Sequence, residues 1–486
     1  MDDDRLYEQR LQKLNRLRRA GIDPYPARYE RTDLAQDVIA GFEADPGREV
    51  RVGGRVVGGI RRMGRSTFLH LLDGSGRIQV YCKHDRLGAE RFELLEAVEA
   101  GDFLGVAGET FRTRTGEVTI LVTDFMVLAK ALRPLPEKWH GLQDVEKRYR
   151  QRYLDLIANP EVGQVFQLRS RIVHEVRSFL VERGFLEVET PILQPIAGGG
   201  AARPFQTYYK ALDRTLYLRI ALELYLKRCV IGGIERVFEI GRNFRNEGIS
   251  HKHNPEFTML ELYQAYADYH DIMRLTEELV STVAGRVLGR PAITIDSQEI
   301  DLSPPWPRRS LREEIAERCG VDYEAHPDAE SLREAAAATG LQVQDGWGRG
   351  KLIDELLSTF VEPHVKEPVF LLDYPIELSP LAKKRPDRQD AVERFEAFCG
   401  GIEIANAFSE LNDPIEQRER FLEQASLKRA GDEEAQPFDE DFLEALEHGM
   451  PPTGGMGMGI DRLTMLLAGQ TRIRDVILFP QLRTVE

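Results

Sequence analysis

Cysteine is scarce in this chain. Four residues, Cys82, Cys229, Cys319 and Cys399, lie far apart among 486, with no CxxC pair. This excludes a disulfide framework and a cysteine zinc site, and it reads as reduced thiols in a cytosolic protein. Long apolar runs are missing as well. No 18 consecutive apolar residues occur, so no membrane span is expected. Three aspartates follow Met1, and no apolar signal region comes after them. Positive charge is in deficit, giving a net charge of −15. That argues against indiscriminate nucleic-acid binding, and no DNA partner is expected; RNA contact through a local patch stays open. The stretch Gly346-Trp347-Gly348-Arg349-Gly350-Lys351 is no Walker loop, because Asp345 and Leu352 leave that spacing unmet. Spacing proposes no Ser/His/Asp triad.

What is present centres on Arg242 to Tyr263. Apolar and polar residues alternate on both sides of a Gly/Ser/His/Asn-rich middle, the pattern of two antiparallel strands joined by a long polar loop. Residues two apart on a strand share a face. Asn243 and Arg245 therefore share one before the loop, and Phe257, Met259, Glu261 and Tyr263 share one after it. If the two faces coincide, they make a floor carrying an arginine, an aromatic plate, a carboxylate and a phenol. Such a floor suits a ligand with phosphate, a flat ring and a cationic group.

At 486 residues the chain is long enough for several cores. Residues 5–19 hold six Lys/Arg and one acid, with Tyr7, Leu11, Leu14 and Leu17 at helical spacing. This amphipathic helix has two readings: contact with an RNA backbone, or packing on its own domain. Five strands are expected at Val50 to Ile60, Thr67 to Leu72, Arg77 to Lys83, Phe103 to Glu109 and Val118 to Val127. A helix over Arg86 to Ala100, with Asp85 as its N-cap, is expected before the fourth. Five strands with an inserted helix suggest an OB-fold barrel, a common binder of single strands. Phe68 and His70 share a strand face beside Gln79, which can stack on and hydrogen-bond unpaired bases.

Glu161 to Arg183 reads as a long helix stopped by Gly184, with a strand following to Pro191. Gly198 to Phe205 is a tight, permissive loop, and after it a strand meets a helix near Glu223. Residues 271–366 are mostly helical in pattern. Asn406, Phe408 and Glu410 share a strand face; simple alternation puts Glu403 opposite Asn406, so a bulge or strand start is needed between them. Asp413 and Pro414 start a charged helix to Arg429, and Gly431 to Asp441 is an acidic loop. In Gly454 to Leu467 glycines alternate on a strand that turns into an apolar helix, with Arg462 in its first turn.

Phe244-Arg245-Asn246-Glu247, the loop and Phe257 resemble motif 2 of the class II aminoacyl-tRNA synthetases. The helix and strand from Glu161 to Pro191 resemble motif 1, and Gly454 to Leu467 resembles motif 3. The barrel resembles the anticodon-binding domain of the aspartyl, asparaginyl and lysyl members. The likeness covers nearly the whole chain in order and is closest to the bacterial-type lysyl enzymes. It implies an α+β fold: an N-terminal OB-fold β-barrel plus a catalytic domain with an antiparallel β-sheet flanked by helices. The expected divisions are 1–135 for helix and barrel, 136–144 for a linker, and 145–486 for the catalytic domain, with a mostly helical insertion at about 271–366.

The resemblance also implies roles. Arg245 would grip the α-phosphate of ATP, Glu247 the exocyclic amine of adenine, Phe257 the ring, and Arg462 the γ-phosphate. His253, Asn254, Glu403 and Gly459 would complete the ATP site. Glu396 and Glu403 would hold Mg²⁺. Gly199, Glu223, Glu261, Tyr263, Asn406, Phe408 and Glu410 would form a lysine pocket, and Phe68, His70 and Gln79 would meet the anticodon of tRNA(Lys). Acids at the pocket tip suit an ammonium and oppose the aspartyl and asparaginyl readings. A non-catalytic RNA-binding protein on the same scaffold would have lost Arg245, Arg462 or Glu403, and all three are present. The family form usually has proline where Leu222 stands, a departure read as minor. A homodimer through the motif 1 helix and strand is implied.

Overall fold

The computed structural model describes residues 2–135, 142–344, 346–429 and 435–483. Most of the expected linker (136–141), Asp345 and part of the expected acidic loop (431–434) lie outside them. The chain divides into two compact units, Met1–Pro160 and Glu161–Glu486.

In the first unit, α1 (Asp2–Arg19) and α2 (Ala35–Gly41) precede β1 (Glu49–Met63), β2 (Ser66–Leu72) and β3 (Arg77–Lys83). Short helices α3 (His84–Leu87) and α4 (Ala89–Leu94) lead to β4 (Phe103–Arg112) and β5 (Val118–Ala129). Helices α5 (Val145–Arg150) and α6 (Arg152–Ala158) follow. The strands close into a barrel in the order β1-β2-β3-β5-β4. Alternate residues such as Val50, Val52, Leu69, Leu71, Ile78, Val80, Ile120 and Val122 fill it. β1 serves two neighbours, β4 with its first half and β2 with its second, and a shift between Val57 and Arg61 at Gly58 and Gly59 lets it turn the corner. The single helix expected over Arg86 to Ala100 is instead broken at Gly88, whose φ of 78° no helix holds. Asp85 does not cap it but pairs with Arg65. The basic face of α1 is partly spent within its own unit: Arg10 donates to the carbonyls of Ala131 and Ala100, Lys13 pairs with Glu99 at 2.8 Å, and Arg16 pairs with Glu96 at 3.0 Å.

In the second unit, α7 (Pro160–Glu182) buries Ile172, Val176, Phe179 and Leu180, the stripe that its spacing predicts. Gly184, at φ 79°, follows. Next come β6 (Leu186–Glu187), β7 (Leu193–Gln194), β8 (Gln206–Tyr209), β9 (Arg214–Leu218), α8 (Glu223–Ile231), β10 (Arg236–Phe244) and β11 (Glu256–Ala265). The 271–366 stretch is more mixed than its pattern suggests. It holds most of α9 (Tyr269–Leu288), the hairpin β12 (Ala292–Ile295) and β13 (Gln298–Asp301), β14 (Arg308–Ser310), α10 (Leu311–Cys319), α11 (Ala329–Ala338) and α12 (Arg349–Leu356). β15 (Val369–Leu372), β16 (Arg394–Cys399), β17 (Ile402–Ser409), α13 (Pro414–Arg429), α14 (Glu440–Glu447), β18 (Thr453–Gly459) and α15 (Ile460–Ala468) complete the unit.

Eight strands form one sheet in the order β14-β15-β16-β17-β18-β11-β10-β6. Pairing is antiparallel except at the two ends, where β14 with β15 and β6 with β10 run parallel. α7, α9 and α15 cover one face and build the main core with Phe238, Leu260, Leu262, Ile404 and Met458. The opposite face of the central strands is left for other work.

Candidate active site

The register of the sheet draws the site. Asn243 pairs with Phe257, so the two faces of the central hairpin do coincide. One rung crosses five strands: Glu239, Glu261, Gly457, Asn406 and Glu396 stand opposite one another on β10, β11, β18, β17 and β16. The next rung holds Val237, Tyr263, Gly455, Phe408 and Arg394. Partners across a ladder share a face, so these side chains line one floor. The alternating glycines of β18 run through its middle. A Cβ on Gly455 would collide with the Glu410 carboxylate and the Tyr263 ring, so glycine is what leaves room for both. The bulge that alternation demands is present: Ala397 pairs with Ala405 but Phe398 with Glu403, leaving Ile404 extra.

At one end of the floor lie the arginines. The Arg245 guanidinium sits 5.2 Å from the Phe257 ring centre, and its backbone N–H donates to Pro255 at 2.9 Å, closing the hairpin loop. Asn246 N–H donates to Arg203 at 2.7 Å, which ties the Gly198–Phe205 loop beside it. Glu247 is half-buried in the same loop. Arg462 pairs with Glu403 at 2.7 Å, from the first turn of the helix that follows Gly459. Its second nitrogen lies 3.2 Å from His253 Nε2, and His253 Nδ1 lies 2.9 Å from Ser250 Oγ. Desolvation, then the charges of Arg462 and Lys252, push the His253 pKa down to about 4, although the residue as a whole is exposed. The imidazole is therefore neutral, with Nδ1–H donating to Ser250 and Nε2 accepting from Arg462. Asn254 is committed to the loop: it donates to Glu256 O at 2.6 Å and accepts from Gln481 N–H at 3.3 Å.

Glu396 accepts from Arg394 at 2.6 Å and from the Tyr374 hydroxyl at 2.8 Å. Burial raises its pKa to about 7, with Arg394 opposing and the Glu403 charge adding to the rise. Burial pushes the Glu403 carboxyl up too, but Arg462, Arg394 and Arg245 together outweigh it and hold the carboxyl below the usual range. A buried and a half-buried carboxylate that repel each other make a donor set suited to a hard cation. Among the described residues no group of three or more His, Cys, Asp or Glu is placed to hold a metal ion.

At the other end the acids converge. Glu223 opens α8 and is buried, as are Glu261 and Glu410. Glu261 accepts from Leu222 N–H at 2.9 Å and from the Tyr263 hydroxyl at 3.3 Å. Burial pushes its pKa up to about 7; the Leu222 bond opposes this and Glu223 adds to it. The Leu222 departure is thus more than minor, because proline has no N–H to give Glu261. Gly199 lies against this end: at φ 86°, a Cβ there would sit 3.1 Å from Glu223 Cβ. Asn406 accepts from Arg394 at 3.0 Å.

Sequence reasoning missed three groups. Lys227, one turn after Glu223, is fully buried and pairs with Glu223 at 2.6 Å and with Glu410. Arg219, also buried, pairs with Glu239 at 2.6 Å and donates to Arg242 O at 2.8 Å, bracing β10. Asp461 accepts from Thr258 N–H at 2.7 Å and pairs with Arg169 of α7 at 2.6 Å, fixing the helix that carries Arg462. The only signal for any of them is spacing: Glu223 and Lys227 are four apart.

On the barrel, Phe68 lies outside the core that Leu69 and Leu71 enter. It stacks on Tyr81, with centroids 4.2 Å apart and planes 5° apart. His70 and Gln79 stand opposite each other and share Glu117, at 3.0 and 2.7 Å. The expected trio is therefore one face, and Tyr81 and Glu117 extend it.

Residues 144–483 match the family described as tRNA synthetases class II (D, K and N), and residues 50–128 match an OB-fold nucleic acid binding domain. A lysine–tRNA ligase of Moorella thermoacetica is 55% identical over 477 residues, covering 98% of this chain and 97% of its own. That of Carboxydothermus hydrogenoformans is 54% identical, with 98% of each covered. That of Roseiflexus castenholzii is 54% identical over 491 residues and the full length of both. With a closed barrel, a rung of carboxylates across an antiparallel sheet and relatives matched over nearly all its length, this chain belongs to the class II tRNA synthetases, in the family of the lysine–tRNA ligases.

Proposed function

We propose that the protein joins lysine to tRNA(Lys) with ATP as the source of energy. The lysine carboxylate attacks the α-phosphate, pyrophosphate leaves, and the lysyl group passes from the adenylate to a hydroxyl of the terminal adenosine, by family analogy the 3′ hydroxyl. The observation that carries this reading is the three buried carboxylates, Glu223, Glu261 and Glu410, at one end of a floor whose other end holds Arg245 and Arg462. A buried ammonium needs such partners.

The first step needs no side-chain nucleophile, because the substrate carboxylate is ionised at neutral pH. It needs placement in line and neutralisation of phosphate charge. Arg245 neutralises the α-phosphate and Arg462 the γ-phosphate. Phe257 stacks on adenine, Glu247 accepts from its amine, and neutral His253 with Asn254 shapes the loop around them. Phe408 flanks the substrate stem, and Tyr263, Asn406 and Gly199 frame its polar ends. Glu396 and Glu403 would hold Mg²⁺, which when bound offsets phosphate charge. The first test is exchange of pyrophosphate into ATP with each of the twenty amino acids. Exchange with lysine alone is expected; exchange with aspartate or asparagine would overturn the pocket assignment.

Phe68, His70 and Gln79 are read as the anticodon contacts, supported by their shared face. Phe68→Ala is expected to weaken tRNA(Lys) binding by about 1–3 kcal/mol, the loss of one base stack, with lysine-dependent exchange unchanged. An unchanged KM for tRNA would remove that role. A homodimer is supported by Val181 and Leu186 on the motif 1 helix and strand and by Ile192 and Leu193 just past it, all apolar and each at least 44% exposed. Light scattering should return twice the mass of the chain, and a monomer at micromolar concentration would exclude it. None of the described helices is long and apolar enough to cross a membrane, and a cytoplasmic setting with the cellular tRNA pool suits this activity.

A further inference from the structure

The pocket read as taking the lysine ammonium already contains an ammonium of its own. Lys227 projects from α8 one turn beyond Glu223, and its side chain has no solvent exposure. Its Nζ is 2.6 Å from Glu223 Oε1 and forms an ion pair with Glu410. The Phe408 ring centre is 5.5 Å away and that of Phe442 6.0 Å, so an aromatic wall encloses the head group. This amine cannot swing to solvent without separating α8 from α14. It is a fixed part of the pocket, not a side chain parked there.

We infer that Lys227 is a positioning residue for the substrate: its resident ammonium bridges the Glu223 and Glu410 carboxylates, fixes their orientation, and sets the pocket to accept one further cation. This rests on the reading that the pocket takes lysine. Three carboxylates buried within reach of one another repel, and without a cation they would take up protons. A protonated acid cannot pair with an ammonium. Burial, then the neighbouring Glu223, pushes the Glu410 carboxyl well above its ordinary range, and the Lys227 ammonium opposes that rise; three carboxylates against one resident cation still leave negative charge for an incoming cation to offset. An apolar or acidic substrate side chain would leave that charge unmatched, which costs far more than lost contact. Lys227 thereby sharpens selection for a cationic side chain without touching the reacting atoms. The charged groups facing it are Glu223 on α8 and Glu410 just past β17, and Glu261 and Tyr263 on β11 face those acids in turn. Arg228 lies next to it on α8, paired at 3.3 Å with Asp439 at the start of α14.

The test uses the full chain with Lys227→Met, which keeps the stem and removes the charge, and Lys227→Gln as a second variant that retains a donor. Lysine and ATP KM are measured in pyrophosphate exchange across pH, alongside thermal unfolding. In both variants the lysine KM should rise by about tenfold or more, with the ATP KM within about twofold of wild type. The pH at which lysine binding reaches half its best value should move upward, because Glu410 then loses the cation that opposes the effect of its burial. An unchanged or lower lysine KM in either folded variant overturns the inference, the lower value making Lys227 a competitor of substrate. Equal rises in both KM values also overturn it, as the mark of a general structural role. If the wild-type protein shows no lysine-dependent exchange, the lysine reading falls and this inference with it; a change confined to the variants concerns Lys227 alone.

Discussion

Replacing Arg245 by alanine is expected to lower kcat for lysine-dependent pyrophosphate exchange by about 10²–10³-fold while leaving thermal unfolding nearly unchanged. The two halves of that expectation come from the same geometry. The guanidinium spends little on the fold: it lies over Phe257 and makes one long hydrogen bond, 3.4 Å, to Ile220 O. What closes the hairpin is the backbone N–H of residue 245, which alanine keeps. Removing the side chain therefore costs stability no more than an exposed cation–π contact, about 0.5–1 kcal/mol. Its value lies in charge held ready for the phosphate, and one preorganised donor of this kind accounts for about two to three orders of magnitude in rate. Arg245→Lys should recover part of the loss, since lysine restores the charge but not the planar fork. A kcat within about tenfold of wild type in Arg245→Ala would mean that the α-phosphate is held elsewhere.

Much of this site is legible in the amino-acid pattern, and the reason is the period of a strand. Alternation alone puts Phe257, Glu261 and Tyr263 on one face, and the register of β10 with β11 places them there. Alternation also exposes its own conflict at Glu403 and Asn406, which β17 resolves with an extra residue at Ile404. Where the pattern misleads, something non-local or very short decides. Gly88 breaks a helix that apolar spacing supports, because a single left-handed residue outweighs periodicity. β12, β13 and β14 have four, four and three residues, too few for a pattern to emerge from the helical segments around them. Lys227 stays hidden because Glu and Lys four apart read as an ordinary surface pair on a helix. Only the packing of α14 and β17 against α8 turns that pair into a buried one. Leu222 shows the same limit from the other side: its value is its N–H, which matters only because Glu261 arrives from another strand.

Glu410→Gln is expected to raise the lysine KM by about 30-fold to several thousand-fold, the equivalent of about 2–5 kcal/mol for truncating a buried charge pair, with the ATP KM unchanged. Glutamine fills the same space beside Gly455 and Tyr263, so shape is preserved and charge alone is lost. Lys227 keeps Glu223 as its partner, which keeps the stability loss below the roughly 3–5 kcal/mol of a fully orphaned buried ion. The pH dependence identifies the remaining acid. Burial holds the Glu261 pKa at about 7, above its ordinary 4.5. Its carboxylate form, the form that can pair with an ammonium, is therefore present above about pH 7 and lost as pH falls through it. Lysine KM in the wild-type protein should accordingly rise below about pH 7. In the empty pocket the sign for folding is opposite: ionising Glu261 costs stability as pH climbs from 4.5 toward about 7, and bound lysine removes that cost. The inflection near pH 7 should survive in Glu410→Gln and vanish in Glu261→Gln. If instead Glu410→Gln abolishes it, the titrating group is the Glu410–Lys227–Glu223 cluster, and Glu261 serves only to fix the Leu222 end of α8.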